Sequence, residues 1–184
     1  AADDEALQIA INGLNANILR VQGEVAPSGD PVHNRDILQR VMDIDPEIEV
    51  ILTFWQPRSD IHVSKEYWLD EIEVDGGIQY RLKPEHETEW AIEIITRTKQ
   101  YIEWGINVTT VGVQNVANWS HQGTQTCRWE PERLADFIET KLKPGFDAVG
   151  LSEIKIAAPD LAHIGYKASE IDRFIPVLTS PDVN

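Results

Sequence analysis

The sequence predicts an α/β fold in which about four parallel strands alternate with covering helices. Four short runs rich in β-branched and aliphatic residues have the composition of buried strands. Stretches with apolar residues at helical spacing lie between these runs. Strands that alternate with helices along a chain form a parallel sheet with right-handed crossovers. We therefore expect a single α/β domain over residues 1–184.

The N-terminal part of the chain predicts two helices and two strands. Residues 3–12 begin with acidic side chains, which favour the first turn of a short helix. Residues 17–25 predict a strand, and residues 33–44 predict a second helix with apolar residues along one face. Residues 48–54 form a nearly continuous apolar run, which is typical of a strand that helices cover on both faces.

A long connection and the longest helix follow. Residues 55–83 contain an Asp75-Gly76-Gly77 turn and predict a functional loop or a small hairpin. Residues 84–104 predict a helix, since Pro84 is suited to its first turn and Gly105 to its end.

The C-terminal part predicts two more helices and one more strand. Pro131 starts a helix, and we expect Pro144-Gly145 to stop it because proline interrupts a helix interior. Residues 154–158 predict a fourth strand, and residues 167–175 predict a last short helix.

The most informative stretch is Val108–Trp119, with the sequence VTTVGVQNVANW. Its β-branched residues predict a strand. Gln114, Asn115, Asn118 and Trp119 then place amide groups and an indole at the carboxyl end of that strand. Ligands of parallel α/β proteins bind at this end of the strands. The stretch predicts either a ligand site or a buried strand followed by a polar loop.

Composition limits the classes of function. The net charge of −15 and the pI near 4.6 oppose binding to nucleic acid or to an anionic membrane surface. We expect no membrane span, because no apolar run approaches the roughly 20 residues that one needs. The single cysteine, Cys127, predicts a buried apolar residue and excludes an internal disulfide. The histidines show no metal-binding spacing, so we expect no metal and no cofactor.

Several motifs in the same order resemble glycoside hydrolase family 30, a (β/α)8-barrel family. VGVQNVANW, at 111–119, resembles the fourth-strand motif V-S-x-Q-N-E-P followed by Trp. GLNANILRVQ, at 13–22, is similar to the second-strand pattern, and ILTFWQP, at 51–57, to the third. TCRWEPERLADFI, at 126–138, and KIAAPD, at 155–160, resemble the family's next helix start and its fifth strand.

The resemblance implies a partial TIM-barrel-like fold that corresponds to strands two to five of the family's barrel. It also implies that Val116 occupies the position of the family's acid/base glutamate, and that the catalytic nucleophile has no counterpart in this sequence. An isopropyl group can neither give nor take a proton. Glu24 and Asp160 are the other strand-end carboxylates that could substitute, although such groups are more often solvated or paired with arginine. The family resemblance alone suggests an extracellular or secretory location.

Sugar binding requires fewer residues than catalysis does. Aromatic faces cover the C–H groups of a pyranose, and amide groups bond its hydroxyls. Residues of these types at matching motif positions are the predicted substrate-binding set: Arg20, Trp55, Gln114, Asn115 and Trp119. An alternative role for Trp55 and Trp119 is packing, which is also the expected role of Trp90 and Trp104.

Two functions remain open from the sequence. The first is a non-catalytic carbohydrate-binding or structural subunit derived from a glycosidase. The second is a section or altered form of an active retaining endo-β-glycanase. A partial barrel leaves two sheet edges open, so we also expect a protein partner or the remainder of a barrel to cover them. The predicted ligand is a polysaccharide or another glycan.

Overall fold

The computed structural model describes residues 2–23, 31–57, 68–120, 126–161 and 172–179. Its main sheet contains four parallel strands in the order β1-β2-β5-β6. These strands are β1 (Ile18–Gln22), β2 (Glu49–Thr53), β5 (Val108–Gly112) and β6 (Lys155–Ala157). A separate antiparallel hairpin contains β3 (Leu69–Val74) and β4 (Gly77–Leu82).

Helices occupy most of the described chain between the strands. They are α1 (Ala2–Gln8), α2 (Pro31–Ile44), α3 (Glu87–Glu103), α4 (Pro131–Phe137), α5 (Lys143–Ala148) and α6 (Ile175–Leu178). A π-helical turn over Ile9–Gly13 extends α1, and another over Ile138–Leu142 joins α4 to α5. Within the described ranges, none of these helices combines the length and the apolar character needed to cross a membrane.

The strand order gives the fold class. Each strand of the main sheet lies beside the next one along the chain, apart from the hairpin, and all neighbours are parallel. Since the order never reverses, right-handed crossovers place every connecting helix on the same face of the sheet. A doubly wound sheet would instead reverse its order at a switch point. The predicted partial (β/α)8 barrel with four parallel strands is confirmed.

The two faces of the main sheet differ in chemistry. Alternate side chains of the strands, such as Leu52 and Val111, join the hydrophobic core with buried residues of α3, α4 and α5. Arg20 and Thr53 point to the opposite face, which we call the open face, and they hydrogen-bond to each other there. The prediction that helices cover both faces of β2 is therefore wrong in the described residues. The run supplies Val50 and Leu52 to the helix-covered core, while Thr53 lies on the open face and is only 2% exposed.

Most predicted elements are present, with two differences. Pro144-Gly145 does not stop the helix, which continues through α5 to Ala148. The π turn explains this, because the Lys143 N–H donates five residues back to the Ile138 carbonyl and Pro144 then lies in a first turn. The connection over 55–83 contains the hairpin, whose turn lies at the predicted glycines. Most of the helix predicted over 167–175 lies outside the described residues.

Candidate functional site

Four side chains from four neighbouring strands meet on the open face. The Arg20 Nε donates to the Thr53 Oγ1 at 2.9 Å, and one terminal nitrogen of Arg20 donates to the Asn115 Oδ1 at 2.8 Å. The same nitrogen forms an ion pair with the Asp160 carboxylate. Arg20 lies on β1, Thr53 ends β2, Asn115 follows β5 and Asp160 follows β6. We call these four residues the strand-end cluster.

Backbone hydrogen bonds hold the segment after β5 against the ends of its neighbours. The Asn115 N–H donates to the Phe54 carbonyl at 2.7 Å, beyond the end of β2. The Ala117 N–H donates to the Asp160 carbonyl at 2.8 Å, beyond the end of β6. The position of the Asn115 amide group therefore follows from the backbone as well as from its bond to Arg20.

Val116 lies between these two anchored residues and has no group that can transfer a proton. Its φ of 58° lies in the left-handed region, which β-branched residues rarely adopt. The side chain is half-buried. Asp160, one alternative carboxylate, is paired with Arg20, and Glu24 lies outside the described residues. Among the described residues, the strand-end cluster therefore contains one carboxylate, and an arginine already binds it.

Gln114, the residue before Asn115, is buried beneath the strand-end cluster. Its side-chain nitrogen donates to the Trp55 carbonyl and, at 2.9 Å, to the Asn115 carbonyl. Its Oε1 accepts a hydrogen bond from the Trp129 Nε1 at 3.3 Å, and the residue is only 2% exposed. The amide group therefore joins the backbone after β2 to the segment after β5, and it supports Trp55 and Asn115 from below.

The tryptophans of the described chain differ in how far they are exposed to solvent. Trp119 exposes 39% of its surface and is the one exposed aromatic side chain among the described residues. Trp55 is half-buried. Trp90 is fully buried and packs edge-on against Phe54, as expected for a packing residue. Trp104 is half-buried against Tyr101.

The structure adds residues that the sequence did not indicate. Thr53 was missed, although the alternation of side chains along β2 places it on the same face as the neighbouring Arg20. Arg128, Gln79 and Ser120, which connect the hairpin to the segment containing Trp119, were missed too. No local pattern marks these three residues, because their contact joins segments about 40 residues apart.

Other reactive groups are buried or scattered. Cys127 is fully buried, and desolvation raises the pKa of its thiol to about 12, so it remains protonated and unreactive at neutral pH. Within the described ranges, no three histidine, cysteine, aspartate or glutamate side chains group together as metal ligands would.

Comparison with known proteins identifies the fold. No protein-family model and no curated protein sequence matches the chain. A xylanase of glycoside hydrolase family 30 subfamily 8 from Clostridium acetobutylicum superposes with a TM-score of 0.69 at 19% identity, covering 98% of this chain. A family 30 endoxylanase from Clostridium papyrosolvens gives a TM-score of 0.69 at 15% identity over 97% of the chain. An endo-β1,6-glucanase gives 0.62 at 21% identity over 82%.

The shared part is a section of each larger barrel. The chain spans 43% and 42% of the two xylanases and 33% of the glucanase. At these identities the likeness establishes the fold, so the chain has a partial barrel like that of glycoside hydrolase family 30. The fold predicted from the motif resemblance is confirmed.

Proposed function

We propose that this chain binds an uncharged β-linked glycan at the carboxyl ends of its strands and does not hydrolyse it. The observation that carries the proposal is Val116, a valine at the position where the motif resemblance expects the acid/base glutamate. It lies between Asn115, which belongs to the strand-end cluster, and Ala117, which is anchored to the end of β6.

Retaining hydrolysis needs two carboxyl groups about 5 to 5.5 Å apart, one to protonate the leaving oxygen and one to attack the sugar. Val116 cannot protonate anything, and general acid catalysis typically contributes about 10²- to 10⁴-fold in rate. Asp160 is engaged by the Arg20 guanidinium. The strand-end cluster thus supplies neither of the two free carboxyl groups of this mechanism.

Groups suited to sugar binding lie on or after the strands that meet at this end of the sheet. Arg20 and Asn115 offer donors and an acceptor to sugar hydroxyls, and Trp119 offers an apolar ring surface to sugar C–H groups. Asp160 already neutralises the Arg20 charge, and the chain as a whole carries −15. An anionic sugar would be repelled by that field, so the proposed ligand is uncharged.

Isothermal titration calorimetry with xylohexaose and with β-1,6-linked gluco-oligosaccharides tests the proposal. These probes follow the substrates named for the structural neighbours. We expect one of them to bind, and Trp119→Ala to weaken binding about tenfold or more, since aromatic anchors dominate such interfaces. Ile92→Ala, which shortens an exposed apolar side chain of α3, is the matched control and should leave affinity unchanged. If Trp119→Ala bound the oligosaccharide as tightly as the parent chain does, that result would contradict the proposal.

A second candidate is a section or altered form of an active retaining endo-β-glycanase. The observation that favours it is the short length of the chain relative to the solved hydrolases, of which it spans less than half. Val116→Glu separates the two candidates. Under the second candidate it gives turnover once the remaining barrel strands supply a nucleophile. Under the first it gives none in any assembly.

We also propose that further polypeptide, from the same chain or from a partner, covers the open edges of the sheet. β1 and β6 are the outer strands of the described sheet, and Ile18 on β1 is 51% exposed. Such edges pair readily with other strands. Light scattering across a range of concentrations should show association of the isolated chain. A stable, well-folded monomer at all concentrations would count against this proposal.

A further inference from the structure

The backbone on both sides of Trp119 is held by side chains from elsewhere in the chain. One residue earlier, the Asn118 carbonyl accepts a hydrogen bond from the buried Arg128 guanidinium at 2.5 Å. One residue later, the Ser120 N–H donates to the Gln79 Oε1 at 3.3 Å. The exposed indole therefore projects from a segment that is anchored before and after it.

These anchors all lead to β4 of the hairpin. The Ser120 hydroxyl accepts from the Tyr80 N–H at 2.5 Å and donates to the Tyr80 carbonyl at 3.1 Å. The Arg128 N–H donates to the same carbonyl at 2.8 Å, and the Arg128 guanidinium donates to the Gln79 Oε1 at 3.4 Å. The Gln79 Oε1 thus accepts hydrogen bonds from both Ser120 and Arg128, so Gln79 connects these two residues.

We propose that Gln79, Ser120 and Arg128 are positioning residues that hold the Trp119 ring ready to stack on a sugar, so that the β3–β4 hairpin sets glycan affinity. This inference rests on the proposed function and deepens it. None of the three residues needs to touch the glycan.

The physical reason is preorganisation. A mobile aromatic side chain loses conformational freedom when a ligand orders it, and that loss weakens binding. On an anchored backbone, the Trp119 ring has only its own side-chain torsions left to order when a sugar binds. Burying an arginine is costly unless hydrogen bonds and a partner charge satisfy it. One terminal nitrogen of Arg128 donates to Asn118 and Gln79, and the Glu130 carboxylate lies 3.5 Å from its Nε as the partner charge.

Fluorine NMR of the chain labelled with 5-fluorotryptophan tests the positioning directly. The six tryptophans give six signals, and Trp119→Phe assigns the one of interest. Gln79→Leu keeps the approximate volume of the side chain but removes the acceptor. We expect its Trp119 signal to shift and broaden while the other signals stay in place. Gln79→Glu retains an acceptor oxygen and should restore the parent signal. Glu73→Gln, elsewhere on the hairpin, is the matched control.

Affinity for the glycan that binds the parent chain is the second readout. Gln79→Leu should weaken binding roughly three- to tenfold, the cost of ordering one or two side chains. Gln79→Glu and Glu73→Gln should bind like the parent. An unchanged Trp119 signal and unchanged affinity in a folded Gln79→Leu chain would overturn the inference.

The test also covers an unstable Gln79→Leu chain and a parent chain that binds no glycan. If Gln79→Leu loses cooperative unfolding, Ser120→Ala carries the same test, because it removes only the hydroxyl that bonds the Tyr80 backbone. If no glycan binds the parent chain, the proposed function fails. The fluorine signals of Gln79→Leu and Gln79→Glu then still decide whether Gln79 positions Trp119.

Discussion

Val116 combines an unfavourable backbone conformation with the position at which the motif resemblance expects the acid/base glutamate. A β-branched residue at a φ of 58° is strained, and such conformations cost about 1 to 3 kcal/mol. The surrounding hydrogen bonds offset this cost, since the Asn115 and Ala117 N–H groups donate to the carbonyls of Phe54 and Asp160, beyond the ends of β2 and β6. The turn is thus imposed by its neighbours, and the valine itself does not favour it.

Replacing Val116 with glycine should raise the free energy of unfolding by about 1 kcal/mol, because glycine adopts positive φ without strain. Urea unfolding followed by circular dichroism measures the change. Val149→Gly is the control, since Val149 is exposed but has an ordinary φ of −101°. We expect the control to be neutral or destabilised. A Val116→Gly chain no more stable than the parent would show that the turn is not strained.

The buried thiol of Cys127 should make the stability of the fold depend on pH in the alkaline range. Burial raises its pKa from 9.0 to about 12, so above pH 9 the unfolded state loses the thiol proton while the folded state keeps it. Ionisation then favours unfolding, and the free energy of unfolding should fall as pH rises from about 9 towards 12. Cys127→Ala lacks this contribution. Its stability should fall less steeply in parallel urea titrations, and equal slopes would contradict the assignment.

The sequence indicated candidate site residues but not all of their contacts. The QNVANW stretch indicated Gln114, Asn115 and Trp119 because amides and indoles at a strand end suit sugar binding. Residue type alone could not show that Gln114 is buried beneath the surface, or that Asp160 is paired with Arg20. Both facts depend on contacts between strands far apart in the chain.

Among the elements, the regular strands and helices were predictable and the irregular ones were not. Apolar periodicity indicated α3, and the Asp75-Gly76-Gly77 turn allowed a hairpin. β3 and β4 were harder to assign as strands, because acidic residues such as Glu71 and Glu73 face solvent on an edge strand. The passage from α4 into α5 depends on a π turn, which local propensity does not indicate.

The contact between the end of β1 and the core depends on the absence of a side chain at Gly23. A Cβ there would lie 2.8 Å from the ring of Phe54, which is fully buried against Trp90. Gly23→Ala should therefore destabilise the fold by about 1 to 3 kcal/mol through overpacking. Thermal unfolding measures this loss.

Gly13→Ala provides the matched control for that substitution. A Cβ at Gly13 would come no closer than 3.6 Å to Ile9, an ordinary contact, so the change should be neutral or mildly stabilising. Equal effects of the two substitutions would indicate that the Phe54 ring moves aside freely.

At the scale of the whole molecule, strand alternation predicted the parallel sheet, and the motif resemblance predicted its barrel-like order. The sequential order β1-β2-β5-β6 brings Arg20, Thr53, Asn115 and Asp160 together, although they lie as many as 140 residues apart along the chain. In the described parts of the chain, this order puts the connecting helices on one face of the sheet, and the strand-end cluster lies on the other. The polar character of that face could not be derived from periodicity, because the same apolar run in β2 suits a sheet covered on both sides.

The most direct test of the account is the release of reducing sugar from xylan, β-1,6-glucan and β-1,6-galactan by the purified chain. Val116, next to the strand-end cluster, cannot donate a proton, and the one carboxylate of the cluster, Asp160, is already bound by Arg20. We therefore predict no release above the rate without protein, even for a glycan that the chain binds. Turnover at about 1 s⁻¹ or faster, within the range typical of enzymes, would contradict the account.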